Sequence, residues 1–175
     1  LRGSFREVFR KKSLENILGY RLNFCQDNLV KSEYLVLRGL HFQKEPYAQS
    51  KLVYVSNGKI LDIAVDLRKN SITYGKHFSI ILSSDENNAL FIPKGFAHGY
   101  LSLSKEVIVN YKVDNYYRKD YESGILYDDL NLSIDWGVDI NDLIISEKDK
   151  NFEPYKWWII EEYWLLVLEV SSDNL

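Results

Sequence analysis

The chain has no methionine, a single cysteine and three prolines among its 175 residues. One cysteine, Cys25, excludes an internal disulfide and fits a reducing compartment, where the thiol reads as a small buried hydrophobe. No local Cys-His arrangement marks it as a nucleophile. The missing methionine includes the initiator, which fits a natural start upstream of Leu1. No uncharged apolar run reaches the roughly 18 residues that a membrane-spanning helix needs. Leu1-Arg2-Gly3-Ser4 is not the basic start and apolar core of a signal peptide. A cytoplasmic location without membrane partners is therefore expected. Charge of one sign is also lacking in excess: 22 Lys and Arg stand against 25 Asp and Glu, for a net charge of −3. The basic residues are spread rather than blocked, so a nucleic-acid footprint is excluded. There is no internal repeat and no low-complexity segment.

What is present is ordinary globular composition, 46% apolar and 27% charged, which argues against disorder. The length fits one domain spanning 1–175 with a sizeable core. Residues 155–175 stand apart as an aromatic extension whose Trp157, Trp158 and Trp164 require cover from the body or from a second chain.

Residues 1–9 suit a strand or an arm. Ser13 to Leu18 reads as a short helix with Ser13 as N-cap and Gly19 as stop. The polar cluster Gln26-Asp27-Asn28 reads as a turn. From residue 34 the pattern becomes β, with strands expected at Tyr34–Gln43, Lys51–Ser56, Lys59–Asp66, Lys76–Leu82, Asn88–Ile92, Gly99–Leu103 and Val107–Val113. Asn57-Gly58 is a two-residue hairpin signal. Ile134-Asp135-Trp136 reads as an edge strand, and Ser146-Glu147-Lys148-Asp149 opens a turn or short helix. Short, evenly spaced strands predict an all-β sandwich or barrel.

Two stretches concentrate chemistry. In Arg38-Gly39-Leu40-His41-Phe42-Gln43, strand alternation puts His41 and Gln43 on one face with Gly39, and Arg38 on the other. Gly39 leaves room for a close backbone approach. Ile92-Pro93-Lys94-Gly95-Phe96-Ala97-His98-Gly99-Tyr100 sets a second histidine among glycines. The working expectation is that His41 and His98 face one pocket. Each also fits a hydrogen-bonded core histidine. His77, on a charged strand, reads as surface.

These blocks, with Ala48–Val53, Asp62–Arg68, Asn110-Tyr111-Lys112, Asn115-Tyr116-Tyr117 and Ser146–Asp149, resemble the dTDP-4-dehydrorhamnose 3,5-epimerases in order and spacing, from about Arg2 to Asp149. The resemblance implies a cupin-type double-stranded β-helix (jelly-roll) barrel with short peripheral helices, a homodimer, and a nucleotide-sugar pocket inside the barrel. It implies no metal or organic cofactor. The implied reaction inverts the carbons flanking the ketone of a nucleotide-linked 4-keto-6-deoxyhexose. Such a step needs a base, an acid on the opposite face, and positive charge near the enolate oxygen. An imidazole takes up a proton near neutral pH, so His41 suits the base. A phenol is protonated there, so Tyr111 suits the acid. By the same resemblance Asp149 orients His41, Lys51 faces the enolate oxygen, and His98 binds the sugar or ketone. Arg38 pairs with the diphosphate. Arg2, Phe5, Glu7, Gln26 and Asn28 belong to the pocket mouth or reach it from a partner subunit. Tyr116 stacks on the base, and Gln43 and Lys148 complete the substrate contacts. Other readings are a single-carbon epimerase or ketoisomerase on another nucleotide 4-keto sugar, and a non-catalytic sugar-binding cupin.

Overall fold

Short apolar runs interrupted by polar turns fold into two facing sheets in the computed structural model, which describes residues 2–155. The first sheet has the order β1 (Gln26–Glu33), β8 (Glu106–Val113), β3 (Lys51–Asn57), β6 (Ala89–Ile92). The second runs β10 (Ile144–Ile145), β2 (Val36–Gln43), β7 (Phe96–Ser102), β4 (Lys59–Asp66), β5 (His77–Ser83), and β9 (Glu122–Gly124) also pairs with β2. All pairings are antiparallel except that of β10 with β2. The only α-helices among the described residues are short: α1 (Lys11–Leu18) and α2 (Glu147–Lys150). This is the all-β architecture that the strand spacing predicts, in the jelly-roll form that the family resemblance implies. The aromatic extension lies outside the described residues, apart from its first residue, Tyr155, which is buried.

The chain changes sheets at its tight corners. Asn57-Gly58 joins β3 of one sheet to β4 of the other, so it is a corner and not the hairpin that the dipeptide predicts. Gly58 has φ +77°, and a Cβ there would meet the Glu106 carbonyl, so only glycine fits.

Alternation then sorts the side chains. Val53 and Val55 of β3, Val107 and Val109 of β8, and Ile60 and Ala64 of β4 meet between the sheets. The far side of the second sheet is also covered: Leu37, Ile63, Val65, Ala97 and Leu101 pack under Ile125, Leu132, Trp136 and Tyr155 from the C-terminal loops. Strand β4 is thus buried on both faces, which explains its nearly unbroken apolar run. Each fully buried Val, Ile or Leu contributes about 1.5–3 kcal/mol, so a one-residue slip of this strand is strongly disfavoured.

Several local expectations are corrected. Gln26-Asp27-Asn28 is not a turn but the start of β1, whose partner is β8. Helix α1 begins at Lys11, and its N-cap Arg10 makes no side-chain cap bond; Ser13 lies inside it. Gly19 does stop it, with φ +76°. Ile134-Asp135-Trp136 forms no strand; Trp136 is instead a buried plug whose Nε1 donates to the Tyr127 carbonyl at 3.0 Å. Cys25 is half-buried rather than buried.

Candidate active site

The second sheet supplies a row of inward-facing polar side chains. His41 on β2 is the direct register partner of His98 on β7, and Arg38 pairs with Tyr100. The register slips between Arg38 and His41. Three residues of β2 therefore span two of β7, and Arg38 and His41 come to the same face while Leu37 and Leu40 share the opposite core. Strict alternation, which separates Arg38 from His41, fails at this bulge. Gly39 sits at the bulge with φ +135°, where a Cβ would collide with the Gly99 backbone. The close approach expected of Gly39 is therefore real, and its partner is another strand.

The first sheet faces this row. Lys51, Val53 and Val55 point inward along β3, and Tyr111 is opposite Val53 on β8. Asn28 is opposite Tyr111 on β1, and Gln26 is opposite Val113. Gln26 Nε2 donates to Asn28 Oδ1 at 2.9 Å. Arg38 lies exposed at the rim, its Nε donating to Ser32 Oγ at 3.1 Å.

His41 is held from below. Its Nε2 lies 2.7 Å from Asp149 Oδ1, and the Gly39 amide donates to Asp149 Oδ2 at 3.3 Å. Asp149 arrives at this position because Ser146 caps α2, its Oγ accepting from the Asp149 amide at 3.1 Å. Burial alone pushes the Asp149 carboxyl up, but the hydrogen bond and charge of His41, the Gly39 amide and Lys148 together bring it below its ordinary value. The carboxylate thus accepts from Nε2–H and leaves Nδ1 of His41 as the free proton acceptor. Phe152 stands edge-on to the imidazole, with ring centroids 5.6 Å apart. It fits there because Gly124, the register partner of His41 on β9, has no Cβ to fill the space. The ring covers the dyad, and a drier dyad makes a stronger charge-assisted bond.

His98 is buried and gives its Nε2 to Asp62 Oδ1 at 2.7 Å. Burial holds its pKa below the usual imidazole range against the pull of Asp62. The Lys51 ammonium makes no hydrogen bond or ion pair among the described residues, and burial pushes it down to about 8 against the fields of Asp62 and Glu122. Burial raises the Tyr111 phenol, with Tyr100 adding to the effect, so it is protonated at neutral pH. Its hydroxyl has no partner among the described residues, which leaves it free to donate.

Other expected site residues lie apart. Arg2, Phe5 and Glu7 sit on an exposed N-terminal segment; Phe5 is 97% exposed and Glu7 pairs with Arg10 at 2.7 Å. Gln43 is buried and spends its amide on the Tyr47 and Tyr116 carbonyls and the Arg118 amide, a loop clamp. Tyr116 is exposed beside that clamp. Lys148 donates to Glu122 Oε1 at 2.8 Å, and Tyr117 donates to Glu122 Oε2 at 2.9 Å. Sequence reasoning misses Asp62, Glu122 and Phe152. Asp62 carries a readable signal, a lone carboxylate inside an apolar run; Glu122 and Phe152 carry none.

A base on an ionised carboxylate, faced by a sheet that carries a free phenol and an inward-pointing ammonium, can move protons next to a carbonyl. The sequence profile described as dTDP-4-dehydrorhamnose 3,5-epimerase matches residues 1–156. The enzyme of that name from Methanothermobacter thermautotrophicus is 50% identical over 156 residues, 89% of this chain and 83% of its own. The crystal structure of the Bacillus anthracis dTDP-4-dehydrorhamnose 3,5-epimerase, with TDP and PPi bound, is 47% identical and superposes with a TM-score of 0.84, covering 88% of this chain and 87% of that one. A 3'-monoepimerase from Streptomyces bikiniensis, in complex with dTDP-quinovose, is 26% identical with a TM-score of 0.84, covering 97% and 88%. By profile, identity and fold, the chain belongs to the dTDP-4-dehydrorhamnose 3,5-epimerase family.

Proposed function

We propose that the protein inverts C3 and C5 of a dTDP-linked 4-keto-6-deoxyhexose, in rhamnose-type deoxysugar synthesis in the cytoplasm. The carrying observation is the His41–Asp149 pair at 2.7 Å on one sheet with the unpartnered Tyr111 hydroxyl on the other. Nδ1 of His41 removes the proton beside the ketone, and the C–H electrons pass into the enolate. Asp149 stabilises the imidazolium through Nε2–H. Lys51 offers its ammonium to the enolate oxygen, and His98 hydrogen-bonds the same region. Tyr111 then delivers its O–H proton to the opposite face of the carbon. Imidazolium and phenolate exchange protons with solvent before the second carbon reacts. Arg38 takes the diphosphate, and Gln26 and Asn28 line the path to the mouth. No step requires a cofactor.

Incubation with substrate in deuterated water tests the reading. Label at both carbons supports it. Label at one carbon assigns the chain to the chemistry of the Streptomyces bikiniensis relative, and no exchange leaves a sugar-binding protein.

The working unit in this reading is a homodimer. Arg2, Phe5 and Glu7 lie away from their own pocket, and Phe5 and Leu29 are exposed at 97% and 67%. A two-fold pairing that covers them brings the N-terminal segments to the neighbouring pocket mouth. Activity that falls on dilution, in parallel with dissociation by sedimentation, is the expected result; a fully active monomer overturns it.

A further inference from the structure

Two buried hydroxyls near the rim play no part in the proton transfers. Ser32, on the inner face of β1, and Tyr100, on the inner face of β7, are each 3% exposed, and their oxygens lie 3.1 Å apart across the two sheets. Ser32 Oγ also accepts from Arg38 Nε at 3.1 Å. We propose that Ser32 and Tyr100 form a clamp that sets the plane of the Arg38 guanidinium for the substrate diphosphate, which makes Ser32 a positioning residue for binding. The inference rests on the nucleotide-sugar reading above.

Three observations carry it. First, Arg38 is exposed, and an exposed arginine loses much rotamer freedom when it engages a ligand. A single bond at Nε removes part of that freedom in advance and turns both Nη groups away from Ser32. Second, the guanidinium interacts with the Tyr100 hydroxyl as well as with Ser32, so both members of the clamp act on it, and no carboxylate pairs with it among the described residues, which leaves its charge for phosphate oxygens. Third, the hydroxyls do not exhaust their protons. Oγ receives Arg38 Nε–H, and the Ser32–Tyr100 contact uses one hydroxyl proton of two. One O–H donor is therefore left beside the guanidinium with no acceptor among the described residues, and an anionic oxygen is the group that it lacks. Arg38 lies directly opposite Tyr100 in the β2–β7 register, so the arginine and the clamp stand side by side.

Titration calorimetry on the full chain tests this with dTDP and thymidine as probes. Ser32→Ala is expected to weaken dTDP binding by about tenfold, the loss of one charge-assisted bond, while thymidine affinity stays as in the wild type. Ser32→Thr, which keeps the hydroxyl, restores most of the affinity. In the Arg38→Ala background, Ser32→Ala costs at most the direct hydroxyl contact, well under tenfold, because the clamp has no guanidinium left to hold. In turnover the loss falls on KM rather than kcat. Tyr100→Phe keeps the ring and is expected to cost about threefold on dTDP alone, and it carries the test if Ser32→Ala does not fold. Unaltered dTDP binding by Ser32→Ala, an equal loss with thymidine, or the same loss in the Arg38→Ala background overturns the clamp. A wild type that does not bind dTDP overturns the nucleotide-sugar reading together with the clamp.

Discussion

His41 and His98 stand opposite one another in the β2–β7 register, yet each engages its own carboxylate, Asp149 and Asp62, at 2.7 Å. Their exposures separate their roles. The His41 side chain is 27% exposed and the His98 side chain 8%, so His41 can present a ring nitrogen to a substrate while His98 lines the wall.

The first prediction follows from that pairing. His41→Ala is expected to abolish deuterium uptake at both carbons with the circular dichroism spectrum unchanged. Asp149→Asn keeps the shape of the pair but removes the charge that stabilises the imidazolium. Its expected cost is about 10²–10⁴-fold in turnover. Single-turnover exchange kinetics measure both. Near wild-type exchange in either variant removes that residue from the mechanism.

Tyr111→Phe separates the two halves of the reaction. In the proposed mechanism the phenol is the donor, and the base is on the other sheet. Washout of the substrate proton into solvent is expected to persist, while inversion falls by about 10²–10⁴-fold. Proton NMR of the recovered sugar reads both. Equal loss of exchange and inversion would mean that Tyr111 does more than donate.

These roles were only partly legible in the sequence. Strand β4 was readable at both ends, because Asn57-Gly58 precedes it and its apolar run is unbroken enough to demand burial on two faces. Strand β1 was not, because Gln26-Asp27-Asn28 is polar on both faces. One of those faces turns toward the polar space beside Tyr111 rather than toward a packed core, so the usual apolar alternation is absent. Alternation misplaces Arg38 relative to His41 because a bulge is a tertiary adjustment between two glycine-marked strands, and alternation assumes there is none. His41 and Asp149 are 108 residues apart, and spacing carries no information on such a contact; only the family resemblance linked them.

Lys51 gives a pH prediction with a definite sign. Its ammonium falls from the ordinary 10.5 to about 8 in the fold, chiefly through burial. Between those values the unfolded chain binds more protons, so this residue makes stability rise with pH from about 8 to about 10. At pH 7 the fold carries the full cost of a buried cation. Lys51→Met is therefore expected to raise the melting temperature at pH 7, with the gain vanishing above about pH 10. Turnover should move the other way, falling about 10²–10³-fold with the loss of the charge at the enolate oxygen. The wild-type rate should decline as the pH passes about 8, and the variant should lack that decline. A melting temperature that drops in Lys51→Met would show that the ammonium is well paired in the fold.

Two glycines beside the dyad separate stability from catalysis. At Gly99 a Cβ would lie 2.8 Å from the Arg38 carbonyl and 3.0 Å from Gly39 Cα, both backbone atoms. Relief requires β2 and β7 to part, and those strands carry His41, Arg38 and His98. Gly99→Ala is therefore expected to cost about 1–3 kcal/mol in denaturant unfolding and most of the activity with it. At Gly124 the Cβ would meet the Phe152 ring, a side chain that can swing away. Gly124→Ala should cost less stability, because backbone pairing with β2 survives. The displaced ring, however, uncovers the His41–Asp149 bond to water, and a hydrated ion pair stabilises the imidazolium less. Activity should then fall by more than unfolding free energy accounts for. Phe152→Ala on its own should reproduce that loss, since it also uncovers the dyad. A Gly124→Ala variant with wild-type turnover would mean that the ring plays no part in shielding the base.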